Sequence, residues 1–228
     1  MHRFFIHKIS PEALVIKDLE QVHQIRDVLK LHAGEQVVLL PGDGTELVCE
    51  IISIGKKDIS LGLIERRNAA PEPARMVTLY CAVLKRDNFE WVIQKATECG
   101  VARIVPLHTD HTVKLGLNED RLQKIIVEAA EQSGRGVLPY LAPIMTFREA
   151  LQSIDGTSIF FEQAETVFSS ADVRAAKKIN LFIGPEGGWS EHEKNAALEA
   201  GLLVRSLGPR VLRAETAAIV ATFNAVQF

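Results

Sequence analysis

Two segments of this chain, LFIGPEGGWS at 181–190 and LGPRVLRAETA at 207–217, share one plan: an apolar run, a glycine turn and a helix start. A strand that passes through a tight turn into a helix is the building block of a parallel α/β sheet, because parallel neighbours need a crossover connection. Glycine at the turn leaves backbone N–H groups unshielded, so two such loops side by side can wall a pocket held largely by main chain. GPEGG lacks the Gly-Lys-Ser/Thr ending of a phosphate-binding P-loop and the spacing of the dinucleotide GxGxxG fingerprint. That argues against ATP hydrolysis and nicotinamide chemistry. It points to group transfer from a bound nucleoside-type cofactor.

The rest of the chain falls into two rhythms. Up to residue 70 it is β-rich: RFFI, EQVVLL, TELVCEIISI and KDISLGLIE predict strands, joined by the turns Pro41-Gly42-Asp43-Gly44 and Gly55-Lys56-Lys57-Asp58. Between the first two lies DLEQVHQIRDVLKL, whose Leu19, Val22, Ile25, Val28 and Leu29 recur at helical spacing, with Gly34 as the stop. Short strands around one helix predict a small β-barrel domain over 1–70. The polar stretch Arg66–Pro73 marks the boundary.

From 71 to 228 strands and helices alternate. MVTLYCAVLK, ARIVPLH, TSIFFEQ, INLFIG and LLVRSLG predict strands. DNFEWVIQKATECG, EDRLQKIIVEAAEQSG, FREALQSI, EKNAALEAG and AETAAIVATFNAVQ predict helices. Capping-box spacing at Asp87/Glu90, Thr146/Glu149 and Ser190/Glu193 gives three of the helix starts. The expectation is an α/β domain with a mostly parallel sheet covered on both faces.

Composition narrows the setting. A chain of 228 residues, 47% hydrophobic and 24% charged, is that of an ordinary globular protein. No apolar run reaches the length of a membrane span, and the first residues do not read as a signal peptide. The odd, scattered cysteines Cys49, Cys81 and Cys99 sit among apolar residues, which predicts reduced thiols and a cytoplasmic protein. A net charge of −3 argues against non-specific coating of nucleic acid but leaves room for a specific RNA site. His108-Thr109-Asp110-His111 lacks further ligands at metal spacing and reads as a polar loop, so no metal is expected.

GPEGGWSEHE and LGPRVLRAETA resemble the cofactor loops of the SPOUT methyltransferases. RFF at 3–5, VLKLHAGE at 28–35, QKATECGVARIVPL at 94–107 and EAAEQSGR at 128–135 extend the resemblance nearly end to end, to the RsmE-type 16S rRNA uridine-N3 methyltransferases. This chain departs from the family pattern at Lys30 and His111, where arginine is usual, and at Cys99, where leucine is usual. The resemblance implies a PUA-like β-barrel at the N-terminus and a SPOUT-type parallel sheet with a C-terminal trefoil knot. It also implies a homodimer, with S-adenosylmethionine bound in the knot and small-subunit 16S rRNA as the substrate.

On this footing the cofactor-binding candidates are Glu162, Gly184, Pro185, Glu186, Gly187, Gly188, Leu207, Gly208, Arg210, Val211, Leu212 and Thr216. N3 of uridine carries a proton that must leave, and a cation near the uracil oxygens would stabilise the anionic ring. Arg213 is the first candidate for that role and Arg135 the second; either could instead serve a phosphate or an interface, a reading at least as strong for Arg135. Glu215 could accept the proton or simply complement the dipole at its helix start, the more ordinary role. Glu186 could hold a ribose hydroxyl or an amine, or order its own loop. Arg3, Lys30, Lys85 and Arg86 are candidates for RNA phosphate contacts. Trp91, among Phe89, Val92 and Ile93, reads as core, and Trp189 is open between core and stacking. The acidic net charge predicts an assembled 30S particle as the substrate rather than free RNA. The alternatives are a SPOUT enzyme with a different RNA target and a non-catalytic RNA-binding assembly factor.

Overall fold

The computed structural model describes residues 1–6, 14–85, 87–113 and 116–228. The chain forms two compact units: Met1–Glu72 together with Ala130–Leu138, and Pro73–Ala129 together with Pro139–Phe228. The expectation of one boundary near residue 70 left out the return of 130–138.

In the first unit β1 (His2–Phe5), β2 (Leu14–Ile16), β3 (Gln36–Leu40), β4 (Thr45–Ile54) and β5 (Ile59–Asn68) form one sheet in the order β1-β3-β4-β5-β2. The β1–β3 pair is parallel and the others antiparallel. Register shifts at Val48/Cys49 and Ile51/Ser53 add the local twist that curves such a sheet into a half-barrel. Phe4, Val37, Leu39, Cys49, Ile51 and Ile59 fill its concave side with Val22 and Ile25 of the helical segment. That segment is α1 (Leu19–His23) continued by a π-helical turn at Gln24–Val28. It ends earlier than the glycine signal suggested. Lys30, at φ 53°, takes the left-handed position that usually belongs to glycine, and Gly34 lies beyond the helix.

Segment 130–138 joins this unit through both side chains and backbone. The Phe5 N–H donates to Glu131 Oε1 at 2.8 Å and the Gly44 N–H to Gly136 O at 3.3 Å. Gly136 passes so close that a Cβ there would meet the Ala69 Cβ at 2.5 Å. Buried Arg135 donates to Glu72 Oε1 at 3.2 Å through Nε and to Oε2 at 2.5 Å through Nη2.

In the second unit β6 (Met76–Ala82), β7 (Arg103–His108), β8 (Tyr140–Leu141), β10 (Thr157–Phe161), β11 (Lys178–Ile183) and β12 (Leu203–Arg205) run in the order β12-β10-β11-β6-β7-β8. The short β9 (Met145–Thr146) also pairs with β7. Every pair is parallel. Strand order reverses at β6, where the chain first moves out to β7 and later returns on the other side as β11. The helices are α2 (Asp87–Glu98), α3 (Glu119–Ser133), α4 (Phe147–Ser153), α5 (Ser170–Val173), α6 (Glu191–Glu199) and α7 (Ala214–Gln227). Capping boxes start α4 at Thr146/Glu149 and α6 at Ser190/Glu193. At α2 the spacing misled: Asp87 is already helical, and Glu90 accepts both Nε and Nη2 of Arg121 instead of capping.

The core of this unit is aromatic. Tyr80 and Phe182 stack at 4.5 Å, and Phe147, Phe160 and Trp189 pack together beside them. α7 lies on β6, β11 and α2 through Ala218, Ala221 and Ala225, whose small side chains let it come close. Trp91 is not core: it is 59% exposed, because α2 buries the face carrying Phe89, Val92, Ile93 and Ala96. Cys49 and Cys81 are buried, Cys99 is half-buried, and all three are free thiols. Burial raises their pKa values, that of Cys49 to about 11. Among the described residues no helix is long and apolar enough to cross a membrane.

Candidate functional site

In an open parallel sheet the strand ends and helix starts leave a crevice at the carboxyl edge where strand order reverses. This sheet has a cavity of about 1110 Å³ there, at the upper end of ligand clefts generally. The segments leaving four strands form its walls: Lys85 after β6, Phe161–Glu165 after β10, Gly184–Trp189 after β11, and Ser206–Arg213 after β12. Eleven of the predicted cofactor residues line it: Glu162, Gly184, Pro185, Glu186, Gly187, Gly188, Leu207, Gly208, Arg210, Val211 and Leu212. The twelfth, Thr216, does not; it is exposed on the first turn of α7, rotated away from Glu215 and Ala217.

The glycines of these loops serve two purposes. At Gly184 a Cβ would meet the Trp189 ring at 2.9 Å, so the residue makes room for that indole. Trp189 is 5% exposed and its Nε1–H donates to Phe161 O at 3.0 Å, which assigns it to the cavity's floor rather than to stacking on a ligand. Gly188 (φ 71°) and Gly208 (φ 112°) hold left-handed backbone with open space where a Cβ would be. The Gly188 N–H closes the first loop on Pro185 O at 2.9 Å.

Charged groups of both signs surround this main chain. Glu186 Oε1 accepts the Lys85 backbone N–H at 3.0 Å, joining the loops after β6 and β11 instead of ordering its own loop alone. Glu162 lies 3.4 Å from Lys194 Nζ. Glu215, in the first turn of α7, is 7% exposed and its Oε2 has no hydrogen-bond partner among the described residues. A buried carboxylate oxygen left without a donor is costly unless a ligand supplies one. Arg213, at the N-cap position of α7, lines the cavity and is exposed, and none of the described residues takes its guanidinium.

The remaining candidates separate. Lys85 lines the cavity, while Arg86 lies outside the described residues. Arg135 belongs to the first unit, is 8% exposed, and is committed to Glu72. EAAEQSGR thus serves, through Glu131 and Arg135, to attach its own segment. Arg3 approaches Glu46 Oε1 at 3.4 Å and Lys30 is exposed, both in the first unit. Among the described residues no group of acidic, histidine and cysteine side chains is placed to hold a metal ion. Sequence reasoning missed Asn88 and Glu165 as lining residues, and the contact between His111 Nδ1 and Gly188 O at 3.0 Å. Only the polar run EQAE at the end of a predicted strand could have signalled Glu165.

Such a cavity defines an α/β protein with a ligand-sized cleft walled by glycine loops at the strand ends. The RNA methyltransferase domain model matches residues 70–225, and the RNA methyltransferase PUA domain model matches residues 16–64. The chain is similar to the ribosomal RNA small subunit methyltransferase E of Bacillus subtilis, 33% identical over 218 residues, 89% of this chain and 85% of that one. Among solved structures it resembles a methyltransferase of Legionella pneumophila in complex with S-adenosylmethionine (TM-score 0.89, 29% identity, 96% of this chain and 94% of that one). It likewise resembles the ribosomal RNA small subunit methyltransferase E of Neisseria gonorrhoeae bound to the same molecule (TM-score 0.88, 27% identity, 97% and 95%). The chain belongs to the RNA methyltransferase family whose members include ribosomal RNA small subunit methyltransferase E.

Proposed function

We propose that this protein is an S-adenosylmethionine-dependent methyltransferase acting on N3 of one uridine in the 16S rRNA of the small ribosomal subunit. The observation that carries the reading is the cavity between Gly184–Trp189 and Ser206–Arg213, built of main chain and small residues in a chain of this family. The residues suit the cofactor. Glycine backbone is open at 188 and 208, and acidic Glu162, Glu186 and Glu215 face a space that would receive a cation. When bound, S-adenosylmethionine supplies a sulfonium methyl group to an entering nucleophile.

The chain's own residues supply the rest. N3 lies on the Watson–Crick edge, so the uridine must be unpaired or turned out of its stack to enter. Arg213 stabilises negative charge on the uracil oxygens as the N3 proton leaves, a role supported by its position on the cavity wall. Arg135, tied to Glu72, is assigned to structure. Lys85, with Arg3 and Lys30 in the first unit, provides phosphate contacts. Two further expectations belong to this reading. A knotted path is supported by β12 at the sheet edge leading into α7, which packs back on β6 and β11. A homodimer is supported by Trp91 and Phe223, exposed on the paired helices α2 and α7. The acidic net charge favours an assembled 30S particle, and the reduced thiols a cytoplasmic setting.

The test is methyl transfer from labelled cofactor to intact 30S subunits and to naked 16S rRNA, with nucleoside analysis of the product. N3-methyluridine formed faster on the particle is expected. A ribose-methylated product would overturn the target, equal rates the particle preference, and absence of cofactor binding the enzymatic reading.

A further inference from the structure

The turn after β7 is held by its own side chains. Thr109 N–H donates to Thr112 Oγ1 at 3.0 Å, the two threonine hydroxyls lie 2.8 Å apart, and the Thr112 N–H returns to Thr109 O at 3.0 Å. Thr109 is buried, which anchors the turn to the sheet. The two residues at its tip, Asp110 and His111, reach the segment 187–193. The Asp110 N–H donates to Glu193 Oε1 at 3.0 Å, and Asp110 Oδ2 accepts the Ser190 hydroxyl. His111 Nδ1 lies 3.0 Å from Gly188 O. A carbonyl oxygen only accepts, so Nδ1 carries the proton in this contact. The His111 side chain also backs the turn: a Cβ at Gly187 would meet the His111 Cβ at 3.2 Å.

We infer that His111 is a positioning residue for the cofactor loop, fixing the Gly188 carbonyl from outside the cavity and with it the Gly188–Trp189 peptide plane that ends the Gly184–Gly188 turn. Gly188 has left-handed backbone and open space where a side chain would be, so its own conformation does not hold the peptide plane. A donor on the carbonyl does. Neither Asp110 nor Ser190 touches that carbonyl, and their contacts secure the start of α6 instead. His111 itself does not line the cavity, so it acts on the ligand only through the loop. The inference rests on the proposed binding of S-adenosylmethionine for its functional consequence but not for its structural part.

The experiment compares the full-length protein with His111→Ala and His111→Asn, the asparagine amide nitrogen standing where Nδ1 stands. Two readouts are taken: amide hydrogen exchange of the 184–190 segment in ligand-free protein, and calorimetric affinity for S-adenosylmethionine. The alanine variant is expected to exchange faster in that segment alone and to bind the cofactor about fivefold more weakly, the size of one lost hydrogen bond. Turnover at saturating cofactor should change by less than about twofold, and asparagine should restore both readouts. Unchanged exchange in the alanine variant overturns the inference. So does faster exchange spread over the whole unit, or failure of asparagine to restore. If wild type does not bind S-adenosylmethionine, the proposed function fails, and exchange alone still decides for or against the role of His111.

Discussion

Across one cavity, the loops 184–189 and 206–213 are secured to very different degrees. The first is tied at four places: Glu186 by the Lys85 amide, Gly188 by Pro185 and by His111, and Trp189 by Phe161. The second is tied at its base, where Ser206 pairs with Val167 and the Ser206 N–H donates to Thr166 O. Beyond that point Val211 is 78% exposed, and the guanidinium groups of Arg210 and Arg213 have no partner among the described residues. A fastened loop is already in its binding shape and forfeits little entropy when a ligand arrives. An unfastened loop carrying charge keeps its side chains for something outside the fold. We propose that the difference divides the labour: the first loop presents a preformed wall to the cofactor, and the second completes that wall while presenting Arg213 to RNA.

If that division is right, damage to the two loops should show up in different measurements. Trp189→Ala removes a buried ring that packs on Phe147 and Phe160, and should lower unfolding free energy by about 3–5 kcal/mol in denaturant titration. A loss under about 1 kcal/mol would mean that the first loop is not built on this indole. Arg213→Ala should lower kcat by about 100-fold or more, as loss of one oxyanion-type donor does. Its unfolding free energy should stay within about 0.5 kcal/mol of wild type and its cofactor affinity should change less than its rate. Collapse of thermal stability instead would place that guanidinium in a subunit interface.

Gly184→Ala forces a Cβ against the Trp189 ring and should cost about 1–3 kcal/mol of stability, visible as a shifted melting curve. Asp172 offers a pH test at the base of the second loop. Arg205 donates Nε and Nη2 to its Oδ1 at 2.8 and 2.6 Å and holds the Asp172 carboxyl below the usual aspartate range. A depressed pKa in the fold gives stability that is complete above the unfolded value of about 4 and is lost as pH falls through the folded value. Asp172→Asn should therefore destabilise at pH 6 and converge on wild type by about pH 2–3, measured as unfolding free energy against pH. Val211→Ser should change stability by less than about 0.5 kcal/mol. A larger loss would show that the second loop is more fastened than its exposure suggests.

The two tryptophans show how far local pattern reaches. Trp91 sits among apolar neighbours in sequence, yet α2 turns it outward, because helical geometry selects residues three and four apart, not adjacent ones. Trp189 comes after a glycine turn, where sequence gives no face to count, and only the packing of Phe147 and Phe160 made it core. The two arginines separate for a similar reason. Arg213 stands beside a glycine loop and a helix start, both of which are local signals. Arg135 was paired by Glu72, 63 residues away in sequence.

The α/β alternation, both glycine turns, two of the three capping boxes and the two glycine-loop walls of the cavity could be read from residue order alone. Each depends on neighbours within one turn of chain: a glycine that tolerates left-handed backbone, a serine three residues before a glutamate, an apolar run of strand length. The tertiary structure decided what depends on distant partners. It placed 130–138 in the first unit through Gly136 against Ala69 and Gly44, left Glu215 Oε2 bare, and brought His111 to Gly188. Those contacts join positions 67 to 92 residues apart or, for Glu215, consist in a missing neighbour, and neither leaves a trace in local composition.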